Sequence, residues 1–150
     1  MIRLATGRFE PEQERRRLAT LRSGAVVEFT GLVRGSDEGE AVTALILHHH
    51  PGMTLASIDD IAGRVRERFA LTALAITHRV GRVAVGEAVV WVGAASRHRR
   101  AAFAAVDMAM DHLKSEALFW KEEERGDQMM WIEPTAGDYA DRDRWSMDAR

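Results

Sequence analysis

Cysteine is absent from the 150 residues. The chain therefore forms no disulfide, offers no thiolate to a metal, and carries neither a cysteine nucleophile nor a persulfide. Proline is scarce, at three residues, and no linker or internal repeat interrupts the sequence. Long apolar runs are missing too. No stretch approaches 18 apolar residues, and Met1-Ile2-Arg3-Leu4 has no apolar core of the signal-peptide kind. The expectation is a soluble, cytoplasmic protein. Neither sign of charge dominates. A formal charge of -2 exerts no global pull toward nucleic acid or anionic membrane, so electrostatic recognition must be local.

What is present is enough for a core. Hydrophobic residues make up 46% and charged residues 29%, a balance that excludes wholesale disorder. A chain of this length reads as one domain, residues 1–150, and buries roughly 70% of its unfolded surface.

Ile2 to Ala5 reads as a short strand, and Pro11 opens a helix over about 11–22 with Leu18 and Leu21 on its apolar face. Ala25 to Arg34 and Val42 to His48 are strands, separated by a loop over 35–40, and Pro51-Gly52 ends the second. Met53 to Phe69 carries a helical stripe through Leu55, Ile58, Ile61, Ala62, Val65 and Phe69. Leu71 to Val80 and Glu87 to Ala95 are strands between turn glycines Gly81 and Gly86. Ser96 is the expected N-cap of a helix over about 97–116. Residues 119–124 and 128–133 pair as a hairpin around Arg125-Gly126-Asp127, and a loosely held polar tail runs from about 134. Helices and strands alternate irregularly, so the fold class is α+β.

Two lysines are the sharpest chemical signal. Lys114 and Lys121 lie seven residues apart with Phe119-Trp120 between them, after a helix that opens on Arg97-His98-Arg99-Arg100. Cations at the positive end of a helix dipole are the wrong sign unless an anion sits opposite them. Phe103, Val106, Met110 and Leu113 form the expected core stripe of that helix. Lys114 falls at its edge, where partial desolvation lowers a lysine pKa and suits it to acid-base work. Lys121 taken alone reads as an exposed strand residue that shares a face with Phe119 and Glu123. Arg34 ends a strand beside a mobile loop, a common place for ligand contacts. In the run His48-His49-His50, neighbours on a strand point to opposite faces, which argues against a metal site.

Taken together, these segments resemble the family of the large, catalytic subunit of molybdopterin synthase. The matching stretches are Phe29-Thr30-Gly31-x-Val33-Arg34, His49-x-Pro51-Gly52-Met53, His78-Arg79-Val80-Gly81 and Ser96-x-His98-Arg99 with Ala102-Phe103. Met110-Asp111-x-Leu113-Lys114 and Phe119-Trp120-Lys121 complete an ordered set over residues 24–133. The resemblance implies an α/β hammerhead fold and a homodimer that binds a small ubiquitin-like sulfur carrier at each end, a heterotetramer. The carrier's C-terminal Gly-Gly thiocarboxylate would enter a pocket and deliver two sulfurs to cyclic pyranopterin monophosphate, forming the dithiolene of molybdopterin. No cofactor or metal is implied.

On this resemblance Lys114 and Lys121 are the catalytic pair, Lys114 at the reacting centre and Lys121 assisting it electrostatically. Arg34, His98, Arg99 and Glu123 bind substrate, together with Leu32, Val33 and Glu122. The sequence departs from the family at Leu32, where lysine is common, and at Glu122, where a basic residue is common. A non-enzymatic adaptor for a ubiquitin-like tail is the alternative. A single-stranded nucleic-acid binder fits less well, because the charge is balanced and no aromatics interleave the arginine run.

Overall fold

Two four-stranded sheets divide the chain, which a computed structural model describes at residues 1–18, 20–36 and 41–147. The first sheet, in the order β1-β4-β6-β2, is built from β1 (Ile2–Ala5), β2 (Ala25–Leu32), β4 (Ala73–Arg79) and β6 (Ala88–Ser96). The second, in the order β5-β3-β7-β8, comprises β3 (Val42–His49), β5 (Gly81–Ala84), β7 (Phe119–Arg125) and β8 (Gln128–Ile132). Helices α1 (Pro11–Arg17), α2 (Pro51–Arg68), α3 (Arg99–Glu116) and α4 (Ala136–Met147) complete an α+β fold. Among the described residues no helix is long and apolar enough to cross a membrane.

Helices α2 and α3 cover one face of the first sheet and form the main core with it. Ile58, Ile61 and Val65 of α2 meet Ile76, Val92 and Ala94 of the sheet, and Ala105 and Ala109 of α3. On the opposite face, Phe9 and Leu18 pack on the fully buried Trp91. Near-continuous apolar runs in β4 and β6 reflect this two-sided burial.

Several expectations change for local reasons. Helix α1 stops at Arg17, because Leu18 turns out into an extended conformation and reaches the core, while Leu21 lies fully exposed. Pro51 and Gly52 begin α2 rather than merely ending β3. Pro51 occupies the first turn, and His50 caps the helix by accepting from the Met53 amide at 3.2 Å. Ser96 is not a helix cap. It ends β6 and donates to the Ala70 carbonyl at 2.8 Å, and His98 takes the cap position. Phe103 is 61% exposed, because α3 faces the core with Ala102, Ala105 and Ala109, whose small side chains let helix and sheet approach closely.

Strand β5, between the two turn glycines, was not anticipated, and it pairs with β3. The hairpin of β7 and β8 turns at Gly126, φ +53°, with Arg125 opposite Gln128. Strand β2 stops at Leu32, two residues before the expected Arg34, so Val33 to Ser36 follow it without regular structure, and residues 37–40 of the expected loop lie outside the described residues. The polar tail folds into α4, the fourth helix. Trp145 packs against the main core and donates to Asp111 of α3 at 2.6 Å, while Thr135 and Asp138 cap the helix reciprocally.

Candidate active site

The two lysines reach one cavity from different elements. Lys114 stands in the last turn of α3, where a cation suits the negative end of the helix dipole. Lys121 stands on β7, paired with Leu47 of β3. The chain between them is held by α2: the Thr54 hydroxyl donates to the Leu118 carbonyl at 2.6 Å, and Ser57 accepts from the Leu118 amide at 3.1 Å. These bonds fix the start of β7 and with it the position of Lys121.

The cavity encloses about 470 Å³. Leu47, Val89, Val90 and Leu113 form its apolar walls, and Arg34, Lys114, Lys121, Glu123 and Arg125 bring charge to it. Leu32, the last residue of β2, and Val33 after it also line it, Leu32 exposed and Val33 buried.

Desolvation falls on the other lysine from the one expected. Lys114 is exposed, whereas Lys121 is half-buried. Burial lowers the Lys121 pKa from the ordinary lysine value, the charge of Lys114 lowers it further, and Asp138 opposes both. The strand alternation that places Lys121 beside Phe119 turns it inward, to the cavity that Met110, Leu113 and Lys114 of α3 also line, and not out to solvent. Asp138 lies in α4, and the two lysines help hold its carboxyl below the usual range, after its bonds to Thr135.

Glu123 is not paired with Lys121. Its carboxylate accepts from Arg125 at 2.9 Å. Glu122 sits on the opposite face of β7, 2.6 Å from His48, and does not line the cavity. His98 and Arg99 are also elsewhere within the chain, in a separate depression with Gly24, Ala25, Arg97 and Arg100 at the start of α3. The first turn of α3 carries no acidic residue to offset them.

Three contributors escaped the sequence reading. Arg125 was assigned to the turn, although extending the alternation of β7 by two residues from Glu123 would have found it. Asp138 gave no signal, because its approach depends on how α4 packs. His78 lies on β4, buried, and stacks on Phe119 with ring centroids 4.2 Å apart. Its Nδ1 is 2.8 Å from the Arg79 carbonyl. Burial, with the nearby Lys121 charge, lowers its pKa from 6.5 to about 4, against a smaller opposing effect of that carbonyl.

The His78 shift predicts how stability responds to acid. Above pH 6.5 the ring is neutral in both folded and unfolded chains. As pH falls toward 4 the unfolded chain takes up a proton that the folded one refuses, so stability is lost, by about 3 kcal/mol in the limit. Urea denaturation at pH 7 and pH 4.5 is expected to show a smaller acid loss in His78→Phe than in the unaltered chain.

Fold and site together define an α+β protein with a cation-lined, apolar-walled cavity suited to an anionic ligand. The chain belongs to the MoaE protein family, whose sequence model matches residues 4–116. It is 50% identical over 127 residues to the molybdopterin synthase catalytic subunit of Caulobacter vibrioides, covering 85% of this chain and 83% of that one. It is 42% identical over 146 residues to the subunit of the same name from Pseudomonas aeruginosa, covering 96% and 97%. The crystal structure of molybdopterin synthase from Staphylococcus aureus superposes with a TM-score of 0.80 at 28% identity, covering 86% of this chain and 94% of that one.

Proposed function

We propose that the chain is the catalytic subunit of a molybdopterin synthase, a cytoplasmic sulfurtransferase. It takes sulfur from the C-terminal thiocarboxylate of a small ubiquitin-like carrier and transfers it to cyclic pyranopterin monophosphate, forming the dithiolene. The observation that carries this reading is the convergence of Lys114 and Lys121 on one apolar-walled cavity, with Lys121 desolvated. A chain without cysteine needs a partner to deliver sulfur, and a thiocarboxylate at the end of a thin Gly-Gly tail reaches such a cavity. Displacing oxygen by sulfur requires proton transfer and stabilisation of developing negative charge.

The chemical roles follow from the environments. Lys121 sheds a proton more readily than an ordinary lysine and acts as the acid-base group. Lys114, accessible and cationic, meets the carrier's thiocarboxylate. Arg34 binds anionic substrate, and Leu32, Val33 and Glu123 shape the cavity mouth. Glu122 supports β7 from its far side through His48.

The separation of the His98–Arg99 cluster from the lysines supports a homodimer in which each chain lends that cluster to its neighbour's cavity. With a carrier at each end the assembly is a heterotetramer. Truncating the carrier by its last two residues is expected to abolish turnover and to weaken the complex appreciably without eliminating it, because a globular carrier also buries surface outside the cavity. Calorimetry with full-length and truncated carrier checks this. Equal affinities would mean that the tail does not enter this cavity.

A further inference from the structure

The charged side chains of the cavity are rich in donors. Among the charged groups, Arg34, Lys114 and Lys121 only donate, and Glu123, with Arg125 on its Oε2, accepts only as a charged carboxylate. His78 supplies an uncharged acceptor, which none of these charged groups offers. A carbonyl carries no proton, so in the contact between His78 Nδ1 and the Arg79 carbonyl it is Nδ1 that donates. In the neutral ring Nε2 is then a bare acceptor. Nε2 has no hydrogen-bond partner among the described residues. Nor is it one of the wholly enclosed unpaired atoms, which are Arg3 Nε, Arg64 Nε, Arg79 Nε and Trp91 Nε1. It opens to the cavity that His78 lines.

The ring is held where it can serve a ligand. It stacks on Phe119, two residues before Lys121 on the same face of β7, and Lys121 is the charge acting on it. The Lys121 ammonium likewise has no hydrogen-bond partner among the described residues. One cavity therefore presents a desolvated donor beside a bare, neutral acceptor. A phosphate or carboxylate oxygen satisfies only the donor. A hydroxyl satisfies both, accepting from one and donating to the other.

We propose that His78 and Lys121 form a two-point subsite for a substrate hydroxyl, with His78 as the residue that orients it. Resting on the sulfur-transfer reading, this hydroxyl is the pterin oxygen that sulfur replaces. Lys121 donates to its oxygen, His78 accepts its hydrogen, and the imidazole stays neutral throughout. Arg34, Lys114, Glu123, Arg125 and Asp138 are the other charged groups around this position, and none supplies a second free neutral acceptor.

The test compares His78→Phe, which keeps a stacking ring without Nε2, with His78→Gln, whose amide returns an acceptor near that point. Binding of cyclic pyranopterin monophosphate is measured calorimetrically in complex with a carrier that ends in an ordinary carboxylate, so that no turnover intervenes. His78→Phe is expected to weaken pterin binding about tenfold, the effect of losing one hydrogen bond in a dry site. Carrier affinity stays unchanged, and His78→Gln recovers most of the loss. Unchanged pterin binding in His78→Phe would overturn the subsite. So would a joint loss of pterin and carrier binding that glutamine does not rescue, since that marks a purely structural residue. An unaltered protein that binds no pterin would overturn the substrate assignment together with the subsite, and it would show before any variant is compared.

Discussion

Lys114→Ala is expected to lower sulfur transfer by about a thousandfold, and Lys121→Ala by about a hundredfold, the range seen when one transition-state donor is removed. Neither variant is expected to lose its fold. Lys114 is exposed, so its truncation opens no core cavity. Lys121 is held against burial and against the like charge of Lys114, so its removal relieves both costs. The melting temperature of Lys121→Ala is accordingly expected to equal or exceed that of the unaltered chain while activity collapses. Lys121→Arg separates the roles. An arginine keeps the charge but does not give up its proton, so it is expected to remain as impaired as alanine. Recovery in Lys121→Arg would reduce Lys121 to an electrostatic partner, and near-normal turnover in Lys114→Ala would remove Lys114 from the reacting centre.

Mixed dimers carry the second large effect. His98 and Arg99 lie in a different depression from the lysines of their own chain, and Arg99 and Arg100 open α3 with no acidic residue to balance them. On the dimer reading a chain with His98→Ala and Arg99→Ala is inactive, as is Lys114→Ala, yet their mixture regains activity. Random exchange makes half of the dimers mixed, each with one intact site of two, so about a quarter of full activity is expected. Sites complete within one chain would give no recovery, because each chain would still lack an essential residue. Pterin titration of the His98 and Arg99 variants is expected to show weakened substrate binding with carrier affinity retained.

Periodicity found the elements that carry the site but not always how they face. The α+β class, the helix bearing Lys114 and the strand bearing Lys121 were legible, because β-branched runs and a 3.6-residue stripe report burial directly. The depth of Lys121 was not legible. Alternation put it on the face of Phe119, but only the tertiary arrangement that brings this face to the cavity beside α3 decides that it is the buried one. The same limit explains Phe103. It outranked the alanines of α3 in apolar weight, yet close approach to the sheet selects Ala102, Ala105 and Ala109 for the core and leaves the ring outside. Trp145 shows the reverse error. A polar tail with one tryptophan looked loosely held, and that one ring, anchored on Asp111, docks the fourth helix. His78 stood in a recognised motif without a role, because its value depends on the tautomer fixed by the Arg79 carbonyl.

Reconstitution decides whether the chain transfers sulfur. The chain is mixed with a thiocarboxylated ubiquitin-like carrier and cyclic pyranopterin monophosphate, and molybdopterin is measured beside the carrier's conversion to its ordinary carboxylate. Dithiolene formation with two carriers consumed per pterin is expected, abolished by Lys114→Ala. A carrier that binds tightly, keeps its sulfur and leaves the pterin unchanged would contradict it, and would make the chain an adaptor for the carrier's tail.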